Sequence, residues 1–385
     1  MKTLILLTFA LSALLANSQT YPSFGSEIDV TLIGFEAFDA MEPFISADGN
    51  YLFFNNLNDG VNTKLYYASK VNDSTFNYID ELSGPNQLEA PQLDAVADMD
   101  SINNFYWTST RDYPAELNNL FHGTFDEGVI TDIGRVHGDF NMGIPGWLLM
   151  DHGISWDGAL LYFNNARFDG DNCLGPCETN MGIAQKVNDS TFNVIPDSDL
   201  ILETITDNDY NYYAPCISID NLELYYTRYL NDAITSGTMF EICVAVRDTP
   251  TATFSEPFVL FSEPISDLIE APTLTADKQV IYYHRKIPGS HKIVMRYRDN
   301  PVNIVISAER GAFTIYPNPA KGQLNIRTDL NYQDIKLSVV TLFGETISTV
   351  SNKTEIDINT LARGTYFLKC EIDGEAKLEK FIKVE

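Results

Sequence analysis

The chain has 385 residues, 44% of them hydrophobic and 12% aromatic, with 53 acidic against 25 basic side chains and a formal charge of −28. So acidic a chain suits neither nucleic acid nor an anionic membrane surface, since both need phosphate charge compensated by Lys and Arg. The length allows two domains, and a Tyr- and Phe-rich composition with almost no helical periodicity points to a β protein with a sizeable core.

The N-terminus carries Lys2, the apolar run from Leu4 to Ala16 and then Ala16-Asn17-Ser18, which predicts a signal peptide over residues 1–18. That run is too short to span a bilayer, no cysteine follows to accept lipid, and no other stretch approaches spanning length, so no transmembrane segment is expected. Residues 27–34 alternate like a strand ahead of the first repeat. Either these residues or Val302 to Ile306 would complete the last sheet of a closed ring and remove its exposed edge.

The first repeat runs from Glu42 to Phe54. Phe44 and Ile45 meet an Asp48-Gly49 turn, and the aromatic run Tyr51 to Phe54 follows, as in a β-hairpin. Two more strand-like runs, 64–68 and 75–79, make one unit a four-stranded antiparallel sheet. Copies begin at Glu89, Asp151, Tyr213 and Glu270; anchored on Pro43, Pro91, His152, Pro215 and Pro272 they are about 48, 61, 63 and 57 residues apart, a propeller or solenoid period. Copies four and five have Asn221 and Lys278 where the turn glycine stood, and copy two reads with an insertion from Asp98 to Asn104. Residues 70–77 recur identically as residues 186–193. The Pro-x-x-Ser-x-Asp-Gly-x-x-Leu-Tyr-Phe pattern resembles the WD40-like, TolB-type β-propeller repeat of bacterial secreted and envelope proteins. That resemblance implies a five-bladed β-propeller over residues 21–306.

Beyond a linker at 307–312 the character changes, and residues 313–385, with nine basic and ten acidic side chains, are nearly neutral. The acidic excess therefore belongs to the repeats. Seven short strands between turn residues fit a small immunoglobulin-like β-sandwich. With Tyr316-Pro317-Asn318-Pro319, Gly344, Gly364 and Tyr366 in order, this stretch resembles the type A C-terminal sorting domain of the type IX secretion system of the Bacteroidota. The resemblance implies handling by the type IX secretion machinery, passage through periplasm and outer membrane, and removal of this domain with release or attachment to surface lipopolysaccharide. The whole chain is thus expected to be all-β and secreted or displayed at the cell surface.

Motifs for chemistry are sparse. The sequence has no G-x-S-x-G, H-E-x-x-H, phosphate loop or dinucleotide fingerprint, and its five histidines are scattered. Cys173 and Cys177 share one loop and are placed to close a disulfide in an oxidising compartment, whereas Cys216 and Cys243 fall two strand spacings apart, beyond disulfide reach. The Asp169-Gly170-Asp171-Asn172 loop has oxygen ligands for calcium but lacks EF-hand spacing, so an ordinary turn and no cofactor are expected. The repeats set acids (Glu42, Glu89, Asp151, Glu270) at the start of inner strands and arginines (Arg111, Arg167, Arg228, Arg285) at the end of second strands. Antiparallel neighbours bring both sets to one rim. They serve either as ion pairs that set blade geometry or as a polar funnel for a glycan, peptide or small anion. Three functions follow: a binding module with a glycan or protein ligand, a carbohydrate-active hydrolase using rim carboxylates, or an envelope scaffold.

Overall fold

The computed structural model describes residues 21–36, 39–86, 92–170, 175–207, 209–299, 313–328, 334–341, 346–372 and 375–384. The signal-peptide stretch, the linker, Glu89, Cys173 and Gly344 lie outside them. So does the alternative closing strand at 302–306.

Between residues 21 and 299 the strands form five sheets. The first contains Met41–Ile45, Tyr51–Asn55, Leu65–Asn72 and Thr75–Glu81, and the second Gln92–Met99, Asn104–Ser109, Leu120–Asp126 and Val129–Arg135. Trp147–Ile154, Leu160–Arg167, Glu178–Asn188 and Thr191–Val194 make the third; Tyr210–Ile217, Glu223–Leu230, Met239–Val246 and Phe258–Pro264 make the fourth. The fifth has Ile269–Leu274, Val280–Ile287 and Ser290–Tyr297 of its own and takes its outer strand from Ile28–Asp29, with Ile28 opposite Met295. Thr31–Ile33 then crosses to the first sheet and pairs in parallel with Thr75–Glu81. The stretch before the first repeat thus covers the outer edges of two sheets, one at each end of the series.

Side-chain alternation along the second strand of each sheet explains how the sheets stack, because successive residues face opposite neighbours. Phe53 packs with Phe105 and Trp107 of the second sheet, whereas Leu52 and Phe54 pack with Val280 and Tyr282 of the fifth. Tyr106 meets Leu161 and Phe163, Tyr162 meets Leu224 and Tyr226, and Tyr225 meets Ile281 and Tyr283. Each adjacent pair, fifth and first included, shares an apolar layer.

Hydrogen bonds near the inner strands link the same pairs. Asn55 Oδ1 accepts the Val96 N–H at 3.3 Å, Asp98 accepts the Ile154 N–H at 2.8 Å and Asn164 donates to the Tyr212 carbonyl at 2.8 Å. Thr227 accepts the Ala271 N–H at 3.1 Å, and His284 Nδ1 accepts the Glu42 N–H at 3.1 Å. Inner strands of the third and fourth sheets approach so closely that a Cβ on Gly153 would sit 2.4 Å from the Pro215 carbonyl oxygen.

The hairpin turn is built the same way in four sheets. Ser46, Ser155, Ser218 and Thr275 donate their hydroxyls to Asp48, Asp157, Asp220 and Asp277 at 2.6–2.7 Å. The same oxygens accept the N–H of Tyr51, Leu160, Glu223 and Val280. Gly49 and Gly158 take positive φ, and Asn221 and Lys278 take it too, at 58° and 60°. The turn survives the loss of its glycine because the hydroxyl-to-carboxylate bond and backbone N–H bonds to both side chains over-determine it.

Copy two corrects the sequence expectation. Asp98 pairs with Tyr106 as Phe44 pairs with Phe53, Cys216 with Tyr225 and Thr273 with Tyr282. Two positions before it, the inner strand has positive φ at Glu42, Val96, Ala214 and Ala271 alike, between 49° and 57°. The counterpart of Pro43 is therefore Ala97, not Pro91, and that of Glu42 is Val96, not Glu89. Residues 98–104 are no insertion but the strand end and a tighter turn, in which Asp100 accepts the N–H of Ile102 and Asn104.

The duplicated octapeptide also has a structural role. In each copy its serine carbonyl receives an incoming segment, Thr31 N–H on Ser74 at 2.8 Å and His137 N–H on Ser190 at 2.7 Å, with parallel pairing beside it.

In residues 313–384 three strands (Phe313–Tyr316, Gln323–Thr328, Glu355–Asp357) form one sheet and four (Ile335–Val340, Thr346–Ser351, Gly364–Ile372, Glu375–Lys383) another. Phe313, Leu324 and Ile356 of the first share a core with Leu337, Leu368 and Phe381 of the second. Asn318 accepts the Ile382 N–H at 3.0 Å and donates to the Lys380 carbonyl at 2.9 Å, and Tyr366 stacks on Phe381 with centroids 5.8 Å apart. Asn318 and Tyr366 thus hold the last strand in place.

Candidate functional site

The inner strands of all five sheets enclose a cavity of about 90 Å3, reaching from Glu42 and Asp151 at one end to Ala47 and Ala276 at the other. That volume holds several waters.

Three carboxylates converge at the first end. Glu42 comes from the first sheet, Asp151 from the third and Glu270 from the fifth; Glu42 feels the negative charge of the other two, and Asp151 that of Glu270. Burial, and then the Glu270 charge, raise Asp151 to about 7. Burial, then Asp151 and Glu270, raise Glu42 well above the usual carboxylate range. Glu270 has two neighbours: the Tyr213 hydroxyl donates to it, and His284 Nε2 lies 3.2 Å from it. His284 Nδ1 accepts the Glu42 N–H, and its Nε2, though near Glu270, makes no hydrogen bond. Glu42 Oε1 accepts a bond from Asn58 at 2.8 Å, but Glu42 Oε2 and Asp151 Oδ2 are covered and have no hydrogen-bond partner. Asp151 is only 2% exposed.

The arginines expected beside these acids face elsewhere. In the fifth sheet His284 lies opposite Glu270, so Arg285, one residue on, falls on the other face. Its Nη1 is 2.6 Å from Glu27. Arg228 pairs with Glu241 at 2.9 Å over the Tyr210 ring, and Arg167 with Glu178 at 3.2 Å. Arg111 donates to the Pro85 carbonyl at 2.7 Å and lies 3.6 Å from Asp94. The acid–arginine rim is thus replaced by an acidic mouth and a separate set of ion pairs. Glu42, Asp151 and Glu270 come together; Arg111, Arg167, Arg228 and Arg285 do not join them.

Deeper along the cavity, Asp98 takes the position that Phe44, Cys216 and Thr273 fill in other sheets. It accepts the Met99 N–H at 2.6 Å and the Ile154 N–H at 2.8 Å, and burial nonetheless raises it to about 8. Beside Asp151, burial lowers His152 to about 3, so the ring is neutral. Sequence reasoning missed Asp98, Tyr213 and His284. One signal was present: each aromatic run closes on a polar residue, Asn55, Thr108, Asn164, Thr227 or His284, which marks the end of the second strand nearest the mouth.

Among the described residues no group of three or more His, Cys, Asp or Glu side chains is arranged to hold a metal ion. Asp169 of the loop considered for calcium pairs with Arg167. Cys177 is disulfide-bonded, its expected partner lying outside the described residues; Cys216, Cys243 and Cys370 are free. The loop before Cys177 packs at the same end of the fourth sheet, where Tyr229 and Asn211 donate to the Pro176 carbonyl.

The tail and its last-strand clamp bear on where the protein goes. Residues 314–384 match the secretion system C-terminal sorting domain. This sorting domain directs the chain to a secreted or cell-surface location through type IX export. No helix among the described residues is long and apolar enough to cross a membrane. No curated protein matches the chain. Similar solved structures include the catalytic domain of the GH62 α-L-arabinofuranosidase of Coprinopsis cinerea, 13% identical with a TM-score of 0.42, covering 72% of this chain and 97% of its own. A family 117 glycoside hydrolase of the marine bacterium Zobellia galactanivorans is 9% identical, TM-score 0.43, over 72% and 91%. A protein described as TolB from Agrobacterium tumefaciens is 13% identical, TM-score 0.33, over 77% and 84%. The described residues are almost wholly β-strands and their connections.

Proposed function

We propose that residues 21–306 are a five-bladed β-propeller acting as an extracellular binding module, that 307–312 is a linker, and that 313–385 is an immunoglobulin-like sorting tail removed after export. Support for five blades comes from five sheets joined pairwise, fifth to first. The observation that carries the binding role is the pair of covered, partnerless acceptor atoms, Glu42 Oε2 and Asp151 Oδ2, at the mouth of the cavity. Buried polar atoms are normally hydrogen-bonded, so this mouth suits a ligand that brings donors, such as a glycan or a polar segment of protein. Glu42, Asp151 and Glu270 form the binding set. Arg111, Arg167, Arg228 and Arg285 serve the sheets.

A second function is favoured by one observation: burial raises Glu42 and Asp151, while Glu270 receives a hydrogen bond from the Tyr213 hydroxyl. Carboxyls held in unlike environments are the equipment of acid–base glycoside hydrolysis. A glycan array and a hydrolysis screen on the full chain separate the two. Binding without turnover, lost in Asp151→Asn, supports the module; turnover lost in the same variant supports the hydrolase; neither binding nor turnover leaves the envelope scaffold.

A further inference from the structure

Three carboxylates meet in the mouth, and among the described residues no Lys or Arg pairs with them. Around them stand Glu42, Asn55 and Asn58 of the first sheet, Asp151 of the third, Tyr213 of the fourth, and Glu270 and His284 of the fifth. The arginines nearest in sequence are bonded to Glu27, Glu241, Glu178 and the Pro85 carbonyl. His284 Nδ1 is taken up by the Glu42 N–H. A group that enters this mouth must therefore supply positive charge and several N–H or O–H donors at once.

The independent sign of a ligand is Asp151. Its side chain lines the cavity, is 2% exposed, and leaves Oδ2 without a donor; Glu42 Oε2 is in the same condition. A metal ion is not what the described side chains are arranged for. A primary ammonium, with three donors and no acceptor, matches two orphan acceptors and one further carboxylate. Leu57, Val61 and Phe168 are exposed on loops at the same end of the sheets, where Asn58 reaches Glu42, and offer apolar surface to an organic carrier.

We propose that the mouth between Glu42, Asp151 and Glu270 takes a primary ammonium group, borne by an amino sugar or by a lysine side chain. This rests on the channel mouth being the binding site, and it names the ligand chemistry. Asp151, held near 7 by burial, must be ionised to take an ammonium, so affinity for a lysine ammonium, which stays charged throughout, falls as pH drops from 8 to 6.

The test is calorimetric titration of the full chain at pH 7 with a glucosamine trisaccharide and with Gly-Lys-Gly, each beside its N-acetylated form, in two buffers of different ionisation enthalpy. At least one amine is expected to bind with proton release, and acetylation to weaken it about thirtyfold or more. Asp151→Asn and Glu42→Gln should each cost a similar factor with the circular dichroism spectrum unchanged; two variants guard against one that fails to fold. Which amine binds tells the sources apart. Equal affinity for acetylated forms, unaffected variants, or no amine binding would overturn the ammonium. If neutral oligosaccharides bind instead and both variants abolish that, only this inference fails; if the variants change no binding at all, the mouth as a site fails with it.

Discussion

At the residue scale the mouth trades stability for chemistry. Asp151 is raised from an ordinary carboxylate value to about 7, so the native state holds a proton there that the unfolded chain has released. A raised folded value means the contribution is fully present below the unfolded value near 4 and is lost as pH rises through about 7. Thermal melts should therefore show Asp151→Asn gaining on the wild type between pH 4.5 and 8; a constant gap would refute the assignment. Asp98 behaves differently because its oxygens hold the Met99 and Ile154 N–H groups. Asp98→Ala leaves two buried donors and should cost about 1–3 kcal/mol per donor left unpaired, read by urea denaturation. Sequence pattern located Glu42, Asp151 and Glu270 but gave them the wrong company. Register error explains this: moving one residue along a strand turns a side chain to the opposite face, and the arginines lie one or more positions away from residues that face the mouth.

At the element scale the N-terminal segment matters most. Glu27 accepts from Tyr283 at 2.7 Å and Arg285 at 2.6 Å and lies 3.6 Å from Arg296. Gly25 and Val30 donate to the carbonyls of Tyr297 and Ile293. Glu27→Ala strips a partner from two arginines and should lower stability by about 2 kcal/mol, near the figure for hydrogen bonds to charged groups. Hydrogen exchange at Val30 should quicken before the core strands respond; unchanged exchange there would show that the segment is held otherwise. The hairpin and turn of four repeats were legible because aromatic runs and Ser/Thr-x-Asp turns are local signals. Copy two was misplaced because its turn lacks the serine and its Pro91 imitates Pro43, leaving only cross-strand register to locate Ala97. The closing strand was seen as a strand, but sequence had no means of showing that Ile28–Asp29 and Thr31–Ile33 serve different sheets.

At the scale of the molecule the acidic repeat region and the nearly neutral tail have separate work. Deleting residues 313–385 should leave a folded repeat region that fails to reach the cell surface or medium, checked by fractionation; normal export would contradict the sorting role. That role was readable because Tyr316 to Pro319, Gly364 and Tyr366 are fixed blocks, and the structure adds their physical use, a grip on the last strand by Asn318 and Tyr366. The ligand was not readable, since it depends on three side chains that lie more than a hundred residues apart in every pairing. The most direct test of that convergence is a carbon-13 NMR titration of the side-chain carboxyls in the wild type and in Glu270→Gln. Asp151 should titrate near 7 and move down once the Glu270 charge is gone; an Asp151 midpoint near 4 in both proteins would contradict the account.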